Sequence, residues 1–426
     1  MCHGELHRSY LIKFRQMKKF LLFIFLLPIV QVYGQKDTLR GYTDYSLLIQ
    51  DSPSQLFTMR QVNQSYLSGY RLFAKELYTV SKNDYLADII QMGLQSIFFL
   101  PLTHEEGHRS ILTVNNIGSI SQPYFNKYGA AYVKGVTDQK LQDLRDNDLP
   151  TYIRLHSGGL ESDYMLTKRM ESIGSFEKDD FKYYKWEYWL RKLGILQYYV
   201  TGLFGFEIDL EEEENELERD IVGYDTYGAA RHLFRPDMDF YRYTKYEDLT
   251  NKEKKYVHRM GFRSLLNLLN PLMIGKGNFK VGENLSFNIG LGYTMAPFGD
   301  FIDENIWIKY KDFNIHGYAR QFQNRNNWFH GFGLSLIDFQ LHKRILTNIT
   351  GHFWNQPKDY DFNTNESFSG GAIDLDFRYF FFNKRDIWLN GFSVDLGMIY
   401  KTEGFLPEEL YFKEKFGLRI GTTIRL

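Results

Sequence analysis

One pentapeptide, His104-Glu105-Glu106-Gly107-His108, combines residue types and spacing that can do chemistry. Residues four apart share one face of a helix, so these two imidazoles can converge on a single cation. The glutamate beside the first histidine is offset from that face and reaches water next to the cation instead of the cation itself. Zinc lowers the pKa of such water toward neutrality, and a carboxylate can take its proton as the water attacks a carbonyl. The same carboxylate can later return the proton to a leaving amine. The chain contains 11 His, so two of them at this spacing around a glutamate make a specific signal. The plain alternative is a helix with two unliganded surface histidines. An apolar run over 97–102 leads into the motif, as expected for a buried helix, and Gly107 lets another element approach closely. Glu106 is charged and so requires solvent or a partner.

The motif resembles that of the zincin metallopeptidases. The resemblance implies zinc as cofactor, His104 and His108 as its ligands, Glu105 as general base, and a peptide or protein substrate. A catalytic zinc needs a third protein ligand, and zincin clans differ in which residue supplies it. The first candidate is Glu161, in His156-Ser157-Gly158-Gly159-Leu160-Glu161-Ser162-Asp163. The paired glycines permit close packing, and the segment reads as a small-residue turn entering a helix. H-E-x-G-H followed by Gly-Gly-x-Glu is similar to a pattern in some membrane-linked metallopeptidases. The second candidate is Glu218, in Glu218-Arg219-Asp220, which resembles the glutamate-plus-aspartate second helix of the gluzincin type. Asp225 and His156 stand behind these two. For each, the plain reading is a helix cap or a surface salt bridge. Asp163 or Asp220 could accept the N–H of a ligand histidine. His232, His258, His316, His330, His342 and His352 show no metal spacing and read as ordinary residues. The chain has no G-x-S-x-G elbow, no phosphate-cradling loop and no dinucleotide fingerprint.

The elements that must position these groups divide at about residue 276. Up to there the hydrophobic spacing is mostly helical, and beyond it alternates. The expected class is α+β: a mostly helical, zincin-like domain over 35–276, followed by an antiparallel β-barrel of about eight strands over 277–426. In the first part a strand is expected over 42–48, a helical turn or two over 70–77, and helices over 84–100, 183–204 and 251–273, with Pro101 kinking or restarting the first. The carboxylate run 211–214 reads as a solvated face. In the second part strands are expected over 284–293, 305–311, 313–322, 328–339, 344–354, 369–382, 387–400 and 414–426. In the last, Leu418, Ile420, Ile424 and Leu426 point one way and Arg419, Thr423 and Arg425 the other, which is the period of two of a strand. The strand glycines Gly290, Gly292, Gly331 and Gly333 mark places where a backbone or a bulky side chain comes close.

Aromatic residues make up 17% of the chain, with 36 Phe and 31 Tyr. Long alternating strands in an aromatic-rich, exported chain resemble a small outer-membrane β-barrel. Such barrels commonly end on an aromatic residue, and this one ends on Leu426. A soluble β-sandwich, or a sheet packed on the helical half, is the competing architecture. Residues 1–34 read as an N-terminal extension and signal peptide. Met17-Lys18-Lys19 precedes an apolar run over 20–30, and Val32-Tyr33-Gly34 offers a cut before Gln35. Met17 is the expected start, which would leave the single cysteine, Cys2, outside the mature chain. A retained signal anchor is the alternative. The implied location is the bacterial outer membrane with the helical domain in the periplasm, and the implied partners are substrate and outer-membrane lipid. A formal net charge of −1 gives no electrostatic footprint for nucleic acid. The competing function is a non-enzymatic outer-membrane barrel whose helical module carries an incidental or structural metal motif.

Overall fold

The computed structural model describes residues 43–51, 57–125, 131–207, 212–383 and 389–426. The expected signal segment and Cys2 lie outside the described residues.

The first elements among the described residues are strand β1 (Asp44–Asp51) and helix α1 (Met59–Ser81), whose N-cap Thr58 accepts the backbone N–H of Gln61. Helix α2 (Asp84–Leu94) is capped by Asn83 and runs through a π-helical turn (Gln95–Phe99) into α3 (Leu100–Val114). Pro101 lies in the first turn of α3, directly after the π-helical turn, where its missing N–H falls at the change of helical pitch. A two-stranded ribbon, β2 (Ile120–Gln122) and β3 (Tyr132–Lys134), follows. Then come α4 (Asp138–Asn147), α5 (Leu149–Ser175), α6 (Lys185–Phe204), α7 (Asp225–Phe234) and α8 (Asn251–Ser264). A capping box formed by Thr250 and Glu253 opens α8.

The segment around Gly158-Gly159 is not a turn. It lies in the middle of α5, a buried helix of 27 residues. Two glycines in a helix interior cost roughly 1 kcal/mol each relative to alanine, so the sequence alone argues for a break. Packing against α3 reverses that preference. A Cβ at Gly107 would lie 2.4 Å from the Gly158 carbonyl oxygen, so the two helices touch backbone to backbone.

The remaining strands are β4 (Phe279–Lys280), β5 (Leu285–Ala296), β6 (Gly299–Tyr310), β7 (Phe313–Gln323), β8 (Trp328–His342), β9 (Ile345–Pro357), β10 (Ser367–Asn383), β11 (Gly391–Lys401) and β12 (Lys415–Arg425). Together with β1 they form a ten-stranded antiparallel sheet in the order β1-β12-β11-β10-β9-β8-β7-β6-β5-β4. The expected eight-strand closed barrel is therefore corrected on two points. The sheet recruits β1 from the start of the chain, in register Tyr45 to Ile424, and it stays open between β1 and β4 among the described residues.

Helices cover both edges that closure would have paired. Along β1, Gln61 Nε2 donates to the Ile49 carbonyl at 2.7 Å. Ser65 Oγ accepts the Leu48 N–H at 3.0 Å, and Ser68 Oγ donates to the Ser46 carbonyl at 2.7 Å. Along β5, the Asn267 amide binds both the N–H and the carbonyl of Tyr293. The Leu269 carbonyl accepts the Leu291 N–H, and Tyr199 Oη accepts that of Met295.

The enclosed face of this sheet is mixed: Phe301, Trp307, Phe322 and Trp354 are buried on it beside many polar and charged groups. Those groups include Asp303, Asn305, Arg320, Arg419, Thr423 and Arg425. Asp303 accepts from Arg320 at 2.6 and 2.8 Å, from Tyr164 at 2.7 Å and from Lys168 at 2.9 Å, tying α5 to β6 and β7. Arg425 holds Asp44 of β1 through two contacts of 2.7 Å. The opposite face exposes Ile306, Phe332, Leu334, Leu396, Leu418 and Ile420. In β12 it is the arginines that face the enclosed side and the apolar residues that face out.

Candidate metal centre

Two helices supply the residues of the centre. His104, Glu105 and His108 project from α3, and Asp225 is the first residue of α7. Asp225 Oδ2 lies 3.3 Å from His104 Nε2 and 3.4 Å from His108 Nε2. The three ligand atoms fall within 4.8 Å of one another, and all three side chains are buried.

The surroundings fix which nitrogen of each ring is free. His104 Nδ1 lies 2.7 Å from Asp163 Oδ2, and His108 Nδ1 lies 2.7 Å from the Leu155 carbonyl oxygen. Each acceptor fixes a proton on Nδ1 and leaves the Nε2 lone pair pointing at the cluster, the arrangement of histidines that ligate metals. His104 Nε2 and Asp225 Oδ2 are buried and make no hydrogen bond within the protein. In the absence of a metal they face each other at 3.3 Å, an ion pair when His104 is protonated. This donor set of two imidazoles and one carboxylate fits a divalent cation and leaves a coordination position free.

His104 is held on both faces. Tyr198 of α6 stacks on its ring at 4.9 Å and 17°. On the α5 side a Cβ at Gly159 would come within 2.4 Å of Nε2. Asp163 is anchored by Arg191, which also donates to Glu187 at 2.6 Å, and Glu187 accepts the Tyr66 hydroxyl at 2.6 Å. A chain of buried charges thus runs from the ligand imidazole to α1.

Glu105 is only 6% exposed. Burial pushes its pKa up to about 7, against the opposing pull of the two histidines. For His104 and His108 burial disfavours the charged form, and the carboxylates around them more than offset it, so both pKa values rise. Burial likewise opposes ionisation of Asp225, and the same two histidines hold its pKa below the usual carboxylate range. Asp220 adds a second carboxyl near Glu105, raised by burial to about 8, and its Oδ1 accepts the Val222 N–H. Glu106 pairs with Arg109 at 2.7 Å.

Glu161 is not in the cluster. Its carboxylate accepts two hydrogen bonds from Arg154, at 2.6 and 2.9 Å, and the backbone N–H of Glu408 at 2.7 Å. It joins the β11–β12 loop to α5, on another face of the helix from Asp163. Glu218 sits at the surface beside Lys134. Asp225, a lesser candidate in the sequence, takes the third position instead. His156 also lies outside: its ring stacks on His232 at 5.4 Å, neither ring has a hydrogen bond, and burial lowers the His156 pKa to about 3. A Cβ at Gly228 would overlap the His156 ring at 2.4 Å, so that glycine lets α7 settle with Asp225 over the α3 face. The signals available in the sequence were Gly228, three residues after Asp225, and the position of Asp225 opening a short amphipathic stretch.

Comparison with protein-family models, with curated proteins and with solved structures finds no match to this chain.

Proposed function

We propose that this chain is a zinc-dependent metallopeptidase of the bacterial cell envelope, seated in the outer membrane by its ten-stranded sheet. The observation that carries the reading is the convergence of two Nε2 atoms and one carboxylate oxygen beside a buried glutamate. His104, His108 and Asp225 would hold the zinc, which when bound would supply Lewis acidity toward a peptide carbonyl and toward water. Asp163 and the Leu155 carbonyl keep both ligand rings in the metal-binding tautomer. Tyr198 and the α5 backbone fix the His104 ring plane. Glu105, buried beside the two histidines, is the group placed to accept and return a proton.

The outer-membrane assignment is supported by the polarity of the sheet. Buried charges lie among apolar core residues on the enclosed side, and aliphatic and aromatic side chains face out along strand after strand. That is the alternation of a strand whose outer surroundings are lipid.

A second reading is favoured by how deeply the centre is buried. His104 and His108 are 2% exposed and Asp225 is 3% exposed. Such enclosure suits a structural metal in a non-enzymatic membrane protein. Glu105→Gln separates the two readings. Hydrolysis of a peptide library by the parent, lost in a variant that keeps its metal, supports the enzyme. A parent with full metal and no hydrolysis leaves the structural role.

A further inference from the structure

The open sheet poses a physical problem if its outer face meets hydrocarbon. Unpaired backbone groups at a strand edge cost several kcal/mol each in lipid, and a gap in the wall would expose the charged interior. The described residues meet both demands with helices. The edge of β1 is bonded by Gln61, Ser65 and Ser68 of α1, and the edge of β5 by Asn267 and the Leu269 carbonyl just after α8. Between these edges the helices pack in continuous succession: α1 on β1, α2 on α1, α6 on α2, α8 on α6, and β5 on α8.

The outward surface of this helical stretch has the same character as the outer face of the sheet. Along α2 and its π-helical turn, Tyr85, Ile89 and Ile97 are 81%, 57% and 62% exposed. On α6 Leu193 and Phe204 face out, and past mid-α8 so do Phe262, Leu265 and Leu269. The polarity changes along α8: Lys252, Lys255 and His258 are exposed before Phe262, and apolar residues after it. A band with a basic margin is what a bilayer with its headgroup layer accommodates.

We propose that α2, α6 and α8 form a helical section of the lipid-facing wall, closing the gap between β1 and β5 so that acyl chains surround the molecule. This rests on the outer-membrane reading above. The lipid-facing part of α2 continues directly into α3, so Glu105 lies about 10 Å along one helical axis from Phe98, at 1.5 Å per residue. The metal centre then sits close to the apolar band.

The test uses the full chain with Cys2→Ser, carrying single cysteines labelled with an environment-sensitive fluorophore and placed in bilayer discs. Ile89→Cys and Phe262→Cys probe the helical section. Leu396→Cys and Leu418→Cys probe the sheet, and Lys255→Cys reports water. The expected result is quenching of the two helical probes by brominated lipid to the same extent as the sheet probes, with Lys255→Cys quenched by aqueous iodide alone. Sheet probes quenched by lipid and helical probes quenched by iodide would overturn the helical wall and leave the membrane reading intact. Helical probes shielded from both quenchers would overturn it in favour of a second copy of the chain or another protein on that face. Sheet probes that lipid fails to quench would overturn the membrane reading itself.

Discussion

Gly159→Ala reverses the usual effect of a helix substitution. In the interior of a helix, glycine to alanine stabilises by roughly 1 kcal/mol. At Gly159 the new Cβ would meet three atoms of the His104 ring at 2.4, 2.5 and 2.6 Å. Carbon contacts settle near roughly 3.5–4.0 Å, so the ring must retreat by about 1 Å. It cannot do so freely, because Tyr198 lies against its other face at 4.9 Å. Metal sites tolerate about 0.2 Å of ligand displacement. Overpacking of this kind costs about 1–3 kcal/mol, leaving a net change in apo stability of about 0–2 kcal/mol after the helix gain. The larger effect falls on the metal. Losing the orientation of one ligand imidazole lowers affinity by about 10–100-fold. The assay is competition against a chromophoric chelator, with circular dichroism to verify the helices. Gly69→Ala on α1, where nothing lies within 4 Å of the added carbon, is the control and should bind metal as the parent does. Parental affinity in Gly159→Ala would refute the clamped ring.

Three further substitutions report on the rest of the account. Asp163→Asn leaves His104 Nδ1 without its carboxylate and is expected to weaken metal binding by about 10–100-fold while the helices remain folded, read by the same competition. Glu161→Gln is expected to destabilise by about 3–5 kcal/mol, because Arg154 is left buried without its counter-charge, yet to leave metal content per folded chain unchanged. Denaturation together with metal analysis separates those outcomes, and loss of metal from folded Glu161→Gln would return that residue to the ligand set. Asp303→Asn leaves Arg320 and Lys168 unpaired on the enclosed face of the sheet and is expected to cost about 3–5 kcal/mol, seen as a lowered unfolding midpoint in detergent.

The sequence shows the motif and the strands because both are local. Four-residue spacing on α3 and the alternation in β12 need no knowledge of the rest of the chain. Strand limits shift where turns carry weak chemistry: β6 begins at Gly299, earlier than the alternation from 305 suggests. What local pattern hides is tertiary. Gly158-Gly159 reads as a break until the backbone of α3 is seen against it. Glu161 and Asp163 stand two residues apart, about 200° around α5 at 3.6 residues per turn. One joins the β11–β12 loop and the other the metal centre. A glutamate beside two glycines gives no hint that Arg154, seven residues earlier, already holds it. Asp225 lies 117 positions from His108, and only the packing of α7 brings them to 3.4 Å. Closure of the sheet is equally non-local, since β1 joins from the far end of the chain.

The most direct test of the central claim is zinc stoichiometry on protein purified from membranes and remetallated at neutral pH, beside His104→Ala/His108→Ala and Asp225→Ala. The account predicts about one zinc per folded chain, lost in both variants. A parent that binds no zinc, or a folded Asp225→Ala protein that keeps it at parental affinity, would contradict the assignment of this cluster as the metal centre.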